Sequence, residues 1–84
     1  MRTLVYGLGE SGVAATRALT ERGERVLVAD GSDDERLRDT LAALDVPGVL
    51  GARSEVLDGI DRVIASPGIS PRNPVLQGAG ARGI

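Results

Sequence analysis

The sequence contains no cysteine, histidine, lysine, tryptophan or phenylalanine, and its one aromatic residue is Tyr6. Each absence removes a class of function. Without cysteine there are no disulfides and no zinc-thiolate sites, which fits a reducing compartment. Without lysine there is no P-loop lysine, so the chain is not a complete Walker-type ATPase. Without His, Cys or Lys the usual general bases and nucleophiles are missing, so any catalysis is expected from residues outside this chain. A single aromatic offers no stacking platform. With a net charge of −2 and no basic stripe, that argues against nucleic acid. No apolar run approaches the roughly 20 residues that span a bilayer. Charged and glycine-rich residues from Gly7 onward interrupt any signal-peptide pattern, so a cytoplasmic location is expected. At 84 residues the chain is one small domain or a piece of a larger protein. Its core must be built from Leu, Val, Ile and Ala, and is modest in size.

What is present is organised around Leu4 to Gly12. The apolar run Leu4-Val5-Tyr6 leads through Gly7, Gly9 and Gly12 into an amphipathic segment. The pattern is strand, glycine-rich turn, helix, and it matches G-x-G-x-x-G. Gly7 permits the tight turn, Gly9 lets backbone approach a phosphate, and Gly12 lets the helix pack closely on the strand. The free N–H groups at the helix start, with the helix dipole, favour an anion. Glu10 lies within the loop and is expected to point away from that anion. Any α/β protein can carry a tight turn here, so context decides: this one starts the first strand–helix unit.

The remaining chain alternates. A helix from near Ser11 carries Val13, Ala14, Ala18 and Leu19 on one stripe and stops at Gly23. Arg25 to Ala29 is a nearly continuous apolar strand, as in a parallel sheet covered on both faces. Ser32 and Glu35 have capping-box spacing ahead of a helix with Leu37, Leu41 and Leu44 inward. A short strand at Val49-Leu50 follows Pro47-Gly48. A helical turn is expected at Ser54–Leu57, and a fourth strand at Arg62–Ala65. Asn73 and Pro74 then read as N-cap and first residue of a last helix, with Gly83 as its stop. The fold class is α/β: a Rossmann-like parallel sheet of four strands with flanking helices. A fifth strand is expected just after Ile84, and the open edge it leaves could support self-association.

Two further places bear on a site. Asp30 ends the second strand, where dinucleotide-binding domains place a ribose-binding carboxylate; a solvated loop residue is the plainer reading. Ser66-Pro67-Gly68-Ile69 follows the fourth strand and is expected to face the glycine turn across the sheet's switch point. Gly68 would allow close ligand approach there, although Pro-Gly is also an ordinary turn.

Taken together, Gly-Leu-Gly-Glu-Ser-Gly, Asp30, Ser66-Pro67-Gly68-Ile69, Asn73-Pro74 and Gly83-Ile84 resemble the N-terminal domain of the Mur ligases that add D-glutamate to UDP-N-acetylmuramoyl-L-alanine. The resemblance covers essentially all of residues 1–84. It implies a cytoplasmic, ATP- and Mg2+-dependent enzyme of peptidoglycan precursor synthesis. This chain would be its UDP-substrate-binding domain, and the ATPase and C-terminal domains would lie elsewhere. The resemblance places the backbone of Glu10, Ser11 and Gly12 against the diphosphate and Asp30 at the uridine. Gly31 and Ser32 would lie beside Asp30, and Gly68, with Gly7 and Gly9, would line the same pocket. It implies no catalytic residue and no metal ligand here. Three other readings use the same residues: an NAD-binding domain of an oxidoreductase or regulator, an interaction module with an empty fold, and the neighbouring Mur ligase that adds L-alanine.

Overall fold

The computed structural model describes residues 1–84. Side-chain alternation along the strands decides the architecture, because both faces of the sheet are apolar. In β1 (Arg2–Tyr6), Leu4 and Tyr6 enter one core and Val5 enters the other. In β2 (Arg25–Asp30), Ala29 joins the first core, while Val26 and Val28 join the second. A strand used on both faces cannot leave either one to water, and helices cover each. Helices α1 (Glu10–Glu21) and α2 (Glu35–Leu44) supply Leu19 and Leu37 to the second core. The opposite face is closed by the 3₁₀ turn Ser54–Leu57 and by α3 (Pro74–Ala81), through Val56, Leu57, Val75 and Ala79.

With β3 (Gly48–Leu50) and β4 (Arg62–Ala65), the sheet order is β3-β2-β1-β4, and every pairing is parallel. The order reverses between β1 and β4, so the carboxyl ends of these two strands flank a crevice. This is the expected four-stranded Rossmann-like arrangement. No helix is long and apolar enough to cross a membrane.

Local chemistry explains where the elements stop. At the end of α1 the Gly23 N–H reaches the Thr20 carbonyl (3.0 Å) and the Glu24 N–H reaches the Leu19 carbonyl (3.1 Å), a Schellman closure. Gly83 and Ile84 close α3 in the same way, on Gly80 and Ala79. The Asn73 side chain caps α3 by accepting from the Val75 N–H at 2.9 Å, with Pro74 at the first helical position. Two buried polar side chains are satisfied. The Thr16 hydroxyl donates to the Gly12 carbonyl (2.8 Å), and the Thr3 hydroxyl accepts from Arg62 Nε (3.2 Å).

Two expectations are corrected. The face that α1 buries is Gly12, Thr16 and Leu19, and of the expected stripe Ala14 and Ala18 are exposed. Ser32 is not the cap of α2: Asp34 is, its carboxylate accepting from the Leu37 N–H at 2.8 Å. Ser32 instead gives its own N–H to Asp30 Oδ1 (2.9 Å), which holds it in the turn before the helix. Losing an N-cap carboxylate costs about 1 kcal/mol. Asp34→Ala should therefore lower the thermal midpoint by about 4–8 °C, whereas Ser32→Ala should leave it unchanged. Circular dichroism melts of both variants check this.

On the outer face of α2, a hydrogen bond from Arg38 to Asp33 (2.9 Å), reinforced by that carboxylate's charge, raises the guanidinium pKa. The pair is exposed, and such pairs add little to stability.

Candidate functional site

The crevice between the ends of β1 and β4 is a cleft of about 560 Å³. Three loops line it. The glycine turn contributes Gly7, Gly9, Glu10 and Ser11; the end of β2 contributes Asp30, Gly31 and Ser32; the loop after β4 contributes Ser66, Pro67, Gly68 and Ile69. Tyr6 and Asn73 complete the lining. Of the residues expected from sequence, Gly7, Gly9, Glu10, Ser11, Asp30, Gly31, Ser32 and Gly68 all reach the cleft. Gly12 does not line it and sits behind the turn.

The glycines divide their work by geometry. Gly7 has φ +105°, a conformation side chains rarely adopt, and a Cβ there would lie 2.7 Å from Ser66 Oγ. At Gly12 a Cβ would run into the Gly7 carbonyl oxygen, so α1 sits against the turn only because residue 12 has no side chain. At Gly9 a Cβ would meet nothing within 4 Å. The packing does not require glycine at position 9, and the space above it belongs to the cleft.

Gly9 is also the N-cap of α1, and no side chain caps this helix. The first N–H groups of a helix have no intrahelical acceptor. At α2 and α3 the Asp34 and Asn73 side chains take one of them. At α1 no side chain takes them, and of its first residues Glu10 and Ser11 line the cleft. No arginine lines the cavity, and Glu10 and Asp30 add negative charge. Main-chain N–H groups and the helix dipole, not a cation, are what this end of the cleft offers to an anion. The Glu10 side chain is exposed and also borders a separate groove between α1 and α2, with Arg17 and Arg36.

Asp30 has a role that local sequence could not show. Its Oδ2 accepts from the Leu8 N–H and its Oδ1 from the Ser32 N–H, both at 2.9 Å. The carboxylate thus ties the glycine turn to the loop after β2. This becomes possible because β1 and β2 run parallel in register, Tyr6 beside Ala29, and the Gly7 N–H reaches the Ala29 carbonyl at 2.7 Å. A carboxylate has about four acceptor positions, so two remain for a ligand. The loop after β4 is tied in as well: the Ser66 N–H donates to the Tyr6 carbonyl (3.1 Å) and the Ser66 hydroxyl to the Gly7 carbonyl (3.4 Å).

A glycine turn feeding an uncapped helix at a switch point suits many nucleotide-binding families, and comparison with known proteins separates them. The family model of the Mur ligase MurD-like N-terminal domain matches residues 1–84. The chain belongs to this family. Several relatives carry the name UDP-N-acetylmuramoylalanine–D-glutamate ligase. That of Rubrobacter xylanophilus is 64% identical over 83 residues, covering 99% of this chain and 19% of the relative. That of Aromatoleum aromaticum is 46% identical over 87 residues, covering 96% and 18%. That of Anaeromyxobacter dehalogenans is 42% identical over 86 residues, covering 99% and 19%. The chain therefore spans about a fifth of the length of these relatives.

The Ser66–Ile69 loop was expected at the cleft and lines it, whereas Tyr6 and Asn73 were not expected there. The order of the elements held a signal for Tyr6. As the last residue of the first strand it stands at the strand's carboxyl end, where open α/β sheets bind ligands. Asn73 gave no such signal, since capping α3 already explains it.

Proposed function

We propose that this domain holds the UDP moiety of UDP-N-acetylmuramoyl-L-alanine for a ligase that adds D-glutamate to it during peptidoglycan precursor synthesis. The observation that carries the reading is the uncapped α1 N-terminus, opening into the switch-point cleft of a MurD-like domain. The amides of Glu10 and Ser11 receive the diphosphate, and Gly12 behind them lets α1 sit against the turn. The uridine lies toward Asp30, Gly31 and Ser32, and Gly68 lets the loop after β4 close against the ligand. Asp30 contributes mostly by fixing the turn that presents those amides, and its remaining acceptor positions serve the nucleoside.

In the whole protein the reaction would consume ATP with Mg2+, activating the substrate carboxylate as an acyl phosphate that the amine of D-glutamate attacks. The residues here do not fit ATP–Mg2+: the chain has no lysine, and no three acidic side chains converge as a metal site. No phosphoryl-transfer step is assigned to them. The partners of this domain are the ligase's other domains, and the setting is cytoplasmic.

Calorimetric titrations with UDP, UDP-N-acetylmuramoyl-L-alanine and NAD, run in parallel, test the reading. Saturable binding of both uridine ligands, with NAD at least tenfold weaker (about 1.4 kcal/mol), is expected. Preference for NAD would transfer the cleft to a redox-cofactor role.

A further inference from the structure

Tyr6 is 2% exposed, and its ring packs in the core that contains Leu4, Ala29 and Val75. A phenylalanine would fill that space equally well. The tyrosine hydroxyl has no hydrogen-bond partner in the protein. It is not sealed in either: every fully buried side-chain oxygen has a partner, so the Tyr6 oxygen reaches the cavity surface. Tyr6 lines both the cleft and an adjoining hollow that holds Arg53. Its hydroxyl lies beside Gly31, where a Cβ would come within 2.9 Å of it. Tyrosine hydroxyls this deep normally find a partner. This one has its ring packed in the core and its oxygen beside Gly31.

We infer that the Tyr6 hydroxyl is a ligand-contacting group that hydrogen-bonds the nucleoside part of the bound nucleotide. This inference rests on the nucleotide-binding reading above. The hydroxyl stands on the β2 side of the cleft, next to Gly31, whereas the diphosphate lies at the α1 N-terminus. It both donates and accepts, so it can pair with a ring carbonyl, a ring N–H or a ribose hydroxyl. Gly31 keeps the approach open: a methyl group at that position would crowd the hydroxyl it serves.

The test compares Tyr6→Phe with the unaltered chain, using UDP and inorganic pyrophosphate as probes. Phenylalanine preserves the ring packing, so the thermal midpoint is expected to hold. Affinity for UDP should fall about 3- to 10-fold, the effect of one hydrogen bond, while affinity for pyrophosphate stays the same. Tyr6 is the chain's sole aromatic, so its ring protons are a single NMR spin system. UDP should shift them and pyrophosphate should not. Equal UDP affinity in the two proteins, or an equal loss for both probes, overturns the inference and leaves the nucleotide-binding reading intact. If the unaltered chain binds neither probe, the nucleotide-binding reading itself fails, and this inference falls with it.

Discussion

Gly12→Ala is expected to abolish nucleotide binding and to lower the thermal midpoint on the order of 10–20 °C. The added methyl group meets the Gly7 carbonyl oxygen, which is backbone and has no rotamer to escape into. Either α1 lifts off β1 or the turn opens. Overpacking of this kind costs about 1–3 kcal/mol and occasionally more. For a domain of this size each kcal/mol moves the midpoint by about 4–8 °C. Since the total stability of 84 residues is only about 4–12 kcal/mol, the loss is a large share of it. Gly9→Ala is the control. With nothing within 4 Å of its Cβ, it should fold as well as the unaltered chain, yet bind UDP more weakly because the methyl group intrudes where the diphosphate lies. Thermal melts and UDP titrations on both variants separate the two roles. If Gly9→Ala binds normally, the diphosphate does not approach the turn at residue 9. If Gly12→Ala melts normally, the helix–turn contact is not limiting.

Asp30→Ala should weaken UDP binding by about 10- to 100-fold, most of it through the shape of the glycine turn. Removing the carboxylate leaves the Leu8 and Ser32 N–H groups without their acceptor. An unpaired, partly buried N–H costs about 1–3 kcal/mol, and the turn relaxes to find another partner. The amides that hold the diphosphate then lose their arrangement. Asp30→Asn should restore only part of the affinity. Its carbonyl replaces one acceptor, but its NH2 faces the other N–H. Hydrogen exchange of the Leu8 amide in ligand-free protein gives the discriminating readout. Faster exchange in Asp30→Ala supports the clamp. Weakened binding with unchanged Leu8 exchange would mean that Asp30 acts on the ligand alone.

These two positions also mark how far the sequence could be read. The two central strands were legible because both are buried on both faces, so Leu4-Val5-Tyr6 and Val26-Leu27-Val28-Ala29 stand out without any alternation to interpret. The glycine stops at Gly23 and Gly83 and the Asn73-Pro74 start were legible because caps are local chemistry. The start of α2 was misread for the complementary reason. Ser32 and Glu35 have the right spacing, but the Ser32 N–H is drawn to Asp30, and the next acidic side chain able to cap, Asp34, takes the position.

The cleft followed the same division. The glycine turn, Asp30 and the loop after β4 were visible as motifs, and the topology brought them together. The bond from Leu8 to Asp30 spans 22 positions and exists only because β1 and β2 pair in parallel register. The Tyr6 hydroxyl was hidden by its own ring, since a lone aromatic in an apolar strand reads as core. It is core along most of its length, and only the sheet's placement of the β1 carboxyl end brings its oxygen to the cavity surface.

The most direct test of the central claim is amide-resolved NMR of this chain during addition of UDP. The account predicts the largest shifts at Gly9, Glu10 and Ser11, with smaller ones at Gly12, Asp30, Gly31, Ser32 and Gly68. Shifts concentrated instead in the groove with Arg17 and Arg36, or at the far end of the sheet beside Arg2 and Arg25, would contradict it.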